Sequence, residues 1–162
     1  MQLALDLGQH LGAAYFAGGQ LLQSETAGLG CGKGSIKTPC PWCGPPSSRK
    51  TFEMMAAVTI RGLIGDKVAQ VAYEKVRRHQ GVAAAHIYGY LEGLVRAACQ
   101  EREIECIPID VATWKSRIGT KGGGKPAYIA RVNELAGLAL TEADEDRAAS
   151  VGIGFAAFGL PT

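Results

Sequence analysis

The chain has 162 residues, which fits one domain with room for a substantial core. Apolar residues make up 47% and charged residues 20%, which excludes global disorder, and no apolar run approaches the roughly 18 residues of a membrane span. The net charge of +2 is too mild to imply nucleic-acid binding alone, and without a signal-type N-terminus the expectation is a soluble cytoplasmic protein with no membrane partner.

Residues 3–7 read as a buried first strand, with the costly carboxylate of Asp6 inside an apolar run, Leu3-Ala4-Leu5-Asp6-Leu7-Gly8. Residues 12–17 and 20–25 read as two more strands around the Gly18-Gly19 hairpin turn. Residues 26–48 are rich in Gly, Pro, Ser and Cys and read as a long loop insertion. A helix over 50–65 follows, then a strand over 68–73 that runs into Glu74. Residues 79–102 form a long helix, 104–109 a strand and 111–118 a short helix. Thr120-Lys121-Gly122-Gly123-Gly124 is a flexible basic loop, and 126–137 is a helix with proline in its first turn. The last helix spans 142–158, with Thr141 and Asp144 spaced for a capping box. This order, β-β-β-α-β-α-β-α-α-α, implies an α/β fold: a mixed five-stranded sheet flanked by helices, in one domain over 1–162.

Asp6, Glu74 and the cluster Glu142, Asp144, Glu145 and Asp146 sit at strand ends and a helix start, where open α/β sheets gather ligands. If the first and fourth strands are neighbours, Asp6 and Glu74 approach each other, and a hard cation relieves their repulsion. Within the last helix, Asp146 precedes a small-residue face suited to the sheet, and Glu142 shares its side four residues earlier. Asp146 is therefore the first candidate and Glu142 the second; Asp144 stays open if the helix starts late. Each acid also has a plainer role: Asp6 in a turn, Glu74 in a surface ion pair, the 142–146 cluster at a helix dipole.

Basic residues flank these acids. Lys75, Arg77, Arg78 and His79 follow Glu74, and Lys115, Arg117, Lys121 and Lys125 surround the glycine loop. A phosphate-binding rim with DNA contacts through Arg77, Arg78, Lys115 and Lys121 fits this pattern, as does a solvated basic face. Lys125 is placed to stabilise charge on a phosphoryl group. The helix over 79–102 carries Gly81, Ala83, Ala84, Ala85, Gly89 and Gly93, a smooth face for the sheet or for a second copy.

Five cysteines, an odd number, argue against a closed disulfide framework. Cys99 and Cys106 read as inert core thiols. Cys40-Pro41-Trp42-Cys43, with Cys31 upstream, resembles half of a zinc ribbon that His10, a distant cysteine or a second subunit would complete. The alternative is a loop of reduced thiols that contacts DNA through Lys33, Lys37 and Trp42.

Taken together, these residues resemble the RuvC family of Holliday-junction resolvases in the RNase H-like superfamily, its phage-type members above all. Leu5-Asp6-Leu7-Gly8 is similar to the family's first-strand Asp-Pro-Gly, with Leu7 in place of proline. Tyr73-Glu74 resembles its Ile-Glu strand end, Trp114-Lys115 with Gly122-Gly123-Gly124-Lys125 its paired-lysine segment, and Asp146-Arg147-Ala148 its final Asp-Ala-Leu. The resemblance implies a homodimer that binds four-way DNA junctions in a bacterial or phage-infected host cell and makes paired symmetric nicks. It also implies two Mg²⁺ per site, with Mn²⁺ as a substitute. Asp6 would bridge the ions, Glu74 would bind one, and Asp146 would lie beside the attacking water. The family's acid three residues before the last Asp is Ala143 here, so Glu142 is the expected substitute. The family's aromatic residue three after the catalytic Glu is Arg77. Two rival readings are a related nuclease acting on forks, branched DNA or RNA–DNA hybrids, and a non-catalytic junction-binding module.

Overall fold

A computed structural model describes residues 1–29, 49–79 and 81–160. Three antiparallel strands come first: β1 (Gln2–Asp6), β2 (His10–Ala17) and β3 (Gln20–Gly28). Then follow α1 (Arg49–Leu63), β4 (Gln70–Lys75), α2 (Val82–Glu101), β5 (Glu105–Asp110), α3 (Val111–Arg117) and α4 (Lys125–Ala136). A 3-10 turn, Glu142–Asp144, leads into α5 (Glu145–Phe158). The expected order of elements holds throughout.

The sheet order is β3-β2-β1-β4-β5, with β1, β4 and β5 parallel and β2 running antiparallel to both of its neighbours, β1 and β3. Gly18 and Gly19 both take positive φ (56° and 79°), as the tight β2–β3 hairpin demands. Pro108 stands in β5, an edge strand, where a missing N–H costs the ladder nothing. Two strands are longer than the sequence pattern implies. His10 pairs with Gly28 and Leu11 with Ala27, so the partner's hydrogen bonds extend both β2 and β3 across residues whose own propensities are weak. The insertion therefore begins after residue 28, and Cys31, Cys40 and Cys43 lie outside the described residues.

Strand alternation sorts the core into two faces. Leu3, Leu5, Val71 and Tyr73 meet α1 and α2 through Phe52, Ala56, Ile60, Leu91 and Val95. Ala4, Ala14, Phe16, Ala72 and Ile109 meet α3, α4 and α5 through Trp114, Ile118, Tyr128, Val132, Ala148, Val151 and Phe155. On α2 the larger residues Leu91, Val95, Ala98 and Cys99 face the sheet, whereas Ala83, Ala84, Gly89 and Gly93 are exposed on the outer side. Cys99 is buried as expected and Cys106 half-buried.

α5 lies almost directly on the backbone of the sheet. A Cβ at Gly12 would stand 1.9 Å from the carbonyl oxygen of Asp146, and one at Gly154 would stand 2.0 Å from the Phe16 ring. Residues Ala148 to Ala156 are buried without interruption, so α5 is a core helix clasped on most sides.

Candidate active site

The topology brings the separated acids together. β1 and β4 pair in parallel with Leu3 opposite Val71 and Leu5 opposite Tyr73. Asp6 and Glu74 are the next residue on each strand. Two positions earlier, Ala4 and Ala72 both point into the α3–α5 face, and a period of two sends Asp6 and Glu74 the same way. Gly12 pairs across β1 with Asp6, and its missing side chain lets the start of α5 descend to that level. Asp146 is thereby delivered beside Asp6, with the His10 Nδ1 atom 3.8 Å from its carboxylate.

The electrostatics follow from that convergence. The pKa of Asp6 lies well above the ordinary carboxylate range, first because the surrounding protein strips its hydration and then because Glu74, Asp146 and Glu145 all oppose a further negative charge. Lys115 is the one cation that offsets them, and among the described residues no hydrogen bond to the Asp6 carboxylate contributes. Glu74 is also raised, chiefly by burial, while a hydrogen bond from Trp114 and the charge of Lys115 pull the other way. Asp146 is raised by burial and by Glu145, against the lowering influence of His10 and Lys125.

An aromatic and basic shell holds these acids. The buried Trp114 donates from Nε1 to Glu74 Oε2 at 2.7 Å. Tyr128 stands edge-on to Trp114, with ring centroids 5.4 Å apart, and donates its hydroxyl to Glu145 Oε1 at 3.2 Å. The Lys115 ammonium sits over both rings, 5.4 Å and 4.9 Å from their centroids. Lys125, the first residue of α4, is ion-paired with Glu145.

Several expected site residues lie elsewhere. Glu142 is exposed on the 3-10 turn, and its charge is among the leading influences on Lys125 but not on Asp6, Glu74 or Asp146. The four-residue spacing that favoured it presumes a helix already running at 142, whereas α5 starts at Glu145. Asp144 accepts from the Thr141 backbone N–H (3.0 Å) and hydroxyl (2.9 Å), which completes the expected capping box and removes it from the site. Lys121 is exposed in a groove with Arg131 and Glu134, away from the acids. Arg77 is engaged in a two-point ion pair with Asp110, at 2.8 Å and 2.7 Å. With Lys75 and Arg78 it lines a groove of about 500 Å³ at the ends of β4 and β5, whose lining includes none of Asp6, Glu74, Glu145 and Asp146. The structure brings Asp6, Glu74, Asp146, Lys115 and Lys125 together. Glu145, Trp114's indole and Tyr128 are additions; the late helix start that the capping residues allow was the available signal for Glu145.

The donor set suits a hard divalent cation. A desolvated carboxylate surrounded by three more offers oxygen ligands and an excess of negative charge. Among the described residues no three acidic, His or Cys side chains close on one point. A closed protein cage is not what Mg²⁺ requires, since it keeps several waters and shares substrate phosphates.

The fold itself has known counterparts. No protein-family model matches the chain, and no curated protein matches it in sequence. Among solved structures, RuvC of T. thermophilus in complex with Holliday junction substrate is similar, with a TM-score of 0.71 and 16% identity, covering 95% of this chain and 89% of that one. The Thermus thermophilus RuvC structure gives 0.67 and 17%, with 95% and 90% covered. This chain has the RuvC fold. The yeast mitochondrial Holliday junction resolvase Ydc2 shares it at a TM-score of 0.62 and 13% identity, covering 95% of this chain and 75% of that chain. The mixed five-stranded sheet flanked by helices is thus the RNase H-like α/β arrangement.

Proposed function

We propose that the chain is a Mg²⁺-dependent endonuclease for branched DNA, with the four-way junction as its main substrate. The observation that carries this reading is the desolvated Asp6 with Glu74, Asp146 and Glu145 around it, set in the fold of RuvC. Asp6, Glu74 and Asp146 would hold the cations. Mg²⁺ bound there supplies charge stabilisation for the attacking and leaving oxygens of an in-line phosphodiester hydrolysis. Trp114 fixes the rotamer of Glu74 through its indole N–H. The His10 ring, with Nδ1 3.8 Å from the Asp146 carboxylate, helps to hold that side chain at the centre. Lys115 and Lys125 present ammonium groups to the phosphate, and Arg77, Arg78 and Lys75 extend the phosphate-binding rim along the β4–β5 edge.

Paired nicks on a symmetric junction call for a homodimer, and the smooth outer side of α2 offers a surface for a second copy. Ala143, which brings no ligating atom where RuvC-type resemblance expects one, favours the rival reading of a non-catalytic junction-binding module. The deciding experiment incubates a synthetic four-way junction with Mg²⁺ and the wild-type, Asp6→Asn or Glu74→Gln protein. Symmetric nicks from the wild type alone support the proposal. Binding without cutting of any branched DNA would sink the enzyme reading, and equal cutting of linear duplex would sink junction selectivity.

A further inference from the structure

The geometry points to Glu145 as the fourth carboxylate of the metal centre, with Lys125 as an internal cation that holds its place until metal binds. This rests on the metal-dependent nuclease reading above. Four observations carry it.

Glu145 and Asp146 are consecutive in the first turn of α5, and their side chains are similarly enclosed, 33% and 31% exposed. Glu145 also joins Glu74 through only two side chains: its oxygen accepts from Tyr128, whose ring packs on Trp114, whose N–H donates to Glu74. The two carboxylates therefore sit on opposite ends of one aromatic wall. Its charge is among the leading influences on Asp6, Glu74 and Asp146, whereas that of Glu142, the residue the helical spacing favours, is not. Finally, Glu145 has a cation on it already: the Lys125 ammonium pairs with one oxygen while Tyr128 takes the other.

Both Glu145 oxygens thus have partners on α4, and the acids form no closed ligand group among the described residues. With both oxygens engaged by α4, Glu145 is held at the edge of the cluster. A divalent cation between Asp146 and Glu145 competes with Lys125 for the same oxygen. Once displaced, the Lys125 ammonium, 60% exposed on the first residue of α4, is free to take a substrate phosphate. Metal loading and phosphate binding would thus be coupled through one side chain.

The test is calorimetric titration of the DNA-free protein with Mn²⁺, which reads binding and not cutting. Glu145→Gln is expected to weaken the lower-affinity Mn²⁺ site by about tenfold or more, the scale of losing a metal-site partner. Glu142→Gln should leave both sites unchanged. Lys125→Met should tighten the lower-affinity site several-fold, because its competitor is gone. Glu145→Asp should recover part of the lost affinity. Unchanged binding in Glu145→Gln, or weaker binding in Lys125→Met, would overturn the assignment. The nuclease reading fails separately: its failure is wild-type protein that takes up no Mn²⁺, or Asp6→Asn that binds Mn²⁺ as the wild type does. Because Lys125→Met predicts a gain, a folding defect in one glutamate variant cannot mimic the expected pattern.

Discussion

Replacing Asp6 with Asn should stabilise the metal-free protein while it abolishes cleavage. Asp6 follows Leu5 in β1 as Glu74 follows Tyr73 in β4, and neighbouring strands lie roughly 4.8 Å apart. Two unit charges about 5–6 Å apart repel by about 3 kcal/mol at an effective dielectric near 20. Asp146 and Glu145 add to that repulsion and Lys115 subtracts from it. Lys115 and solvent screening offset part of that repulsion, so a net gain of about 1–3 kcal/mol is expected. For a domain of this size each kcal/mol moves Tm by about 2–4 °C, so Asp6→Asn should melt roughly 2–12 °C higher in EDTA at neutral pH. The pH dependence has a definite sign. The native pKa of Asp6 is raised, so its contribution to stability is fully present below the unfolded value of about 4 and is lost as pH rises through the native value. The Tm gap between variant and wild type should therefore narrow as pH falls towards about 4. Added Mg²⁺ should close or reverse it by stabilising the wild type alone. Scanning calorimetry in EDTA and in Mg²⁺ measures all of this. A variant that melts below the wild type in EDTA would refute the reasoning, because it would mean that the carboxylate contributes stability without a cation.

Three further outcomes follow from the packing and hydrogen bonds. Gly12→Ala puts a methyl group 1.9 Å from the Asp146 carbonyl, so α5 must lift; a loss of about 1–3 kcal/mol by denaturant titration and a larger fall in cleavage are expected, and wild-type cleavage would contradict it. Trp114→Phe keeps the ring but removes the donor to Glu74, which should weaken Mn²⁺ binding by about tenfold while costing only about 1–3 kcal/mol of stability. Arg77→Ala frees Asp110 at the groove edge; junction affinity should fall without loss of metal affinity, and the salt dependence of binding should flatten by about one unit in slope.

The fold was legible because apolar patterning and breakers coincide: Gly18-Gly19 marks the hairpin, and residues 3–7 and 68–73 read as strands from their apolar runs. Where local propensity and pairing disagreed, pairing won, as with Ala27 and Gly28 on β3. The site was legible at Asp6 and Glu74 because a charge inside a buried strand is conspicuous. It was misread at Glu142 because a helical period was applied one turn before the helix begins. Trp114 was visible in sequence only as part of a motif; that its N–H reaches Glu74 depends on α3 lying under α5, a relation no local pattern encodes. Lys121 and Lys125 flank one glycine loop, and the charge-stabilising role was read at Lys125, the one of the two that starts α4 and pairs with Glu145.

The bare backbone at Gly12 has a consequence for when the acidic cluster comes together. Residues 6 and 74 meet as soon as β1 and β4 pair, but Asp146 arrives only when α5 seats itself on β2. A nascent chain can therefore form its central sheet and still lack a working centre. The acid that completes the centre travels on the segment that also seals the core beneath Phe16 and Trp114. Assembly of the acidic cluster and closure of the core thus become one event, and a molecule whose α5 has not docked carries the central sheet without its third acid.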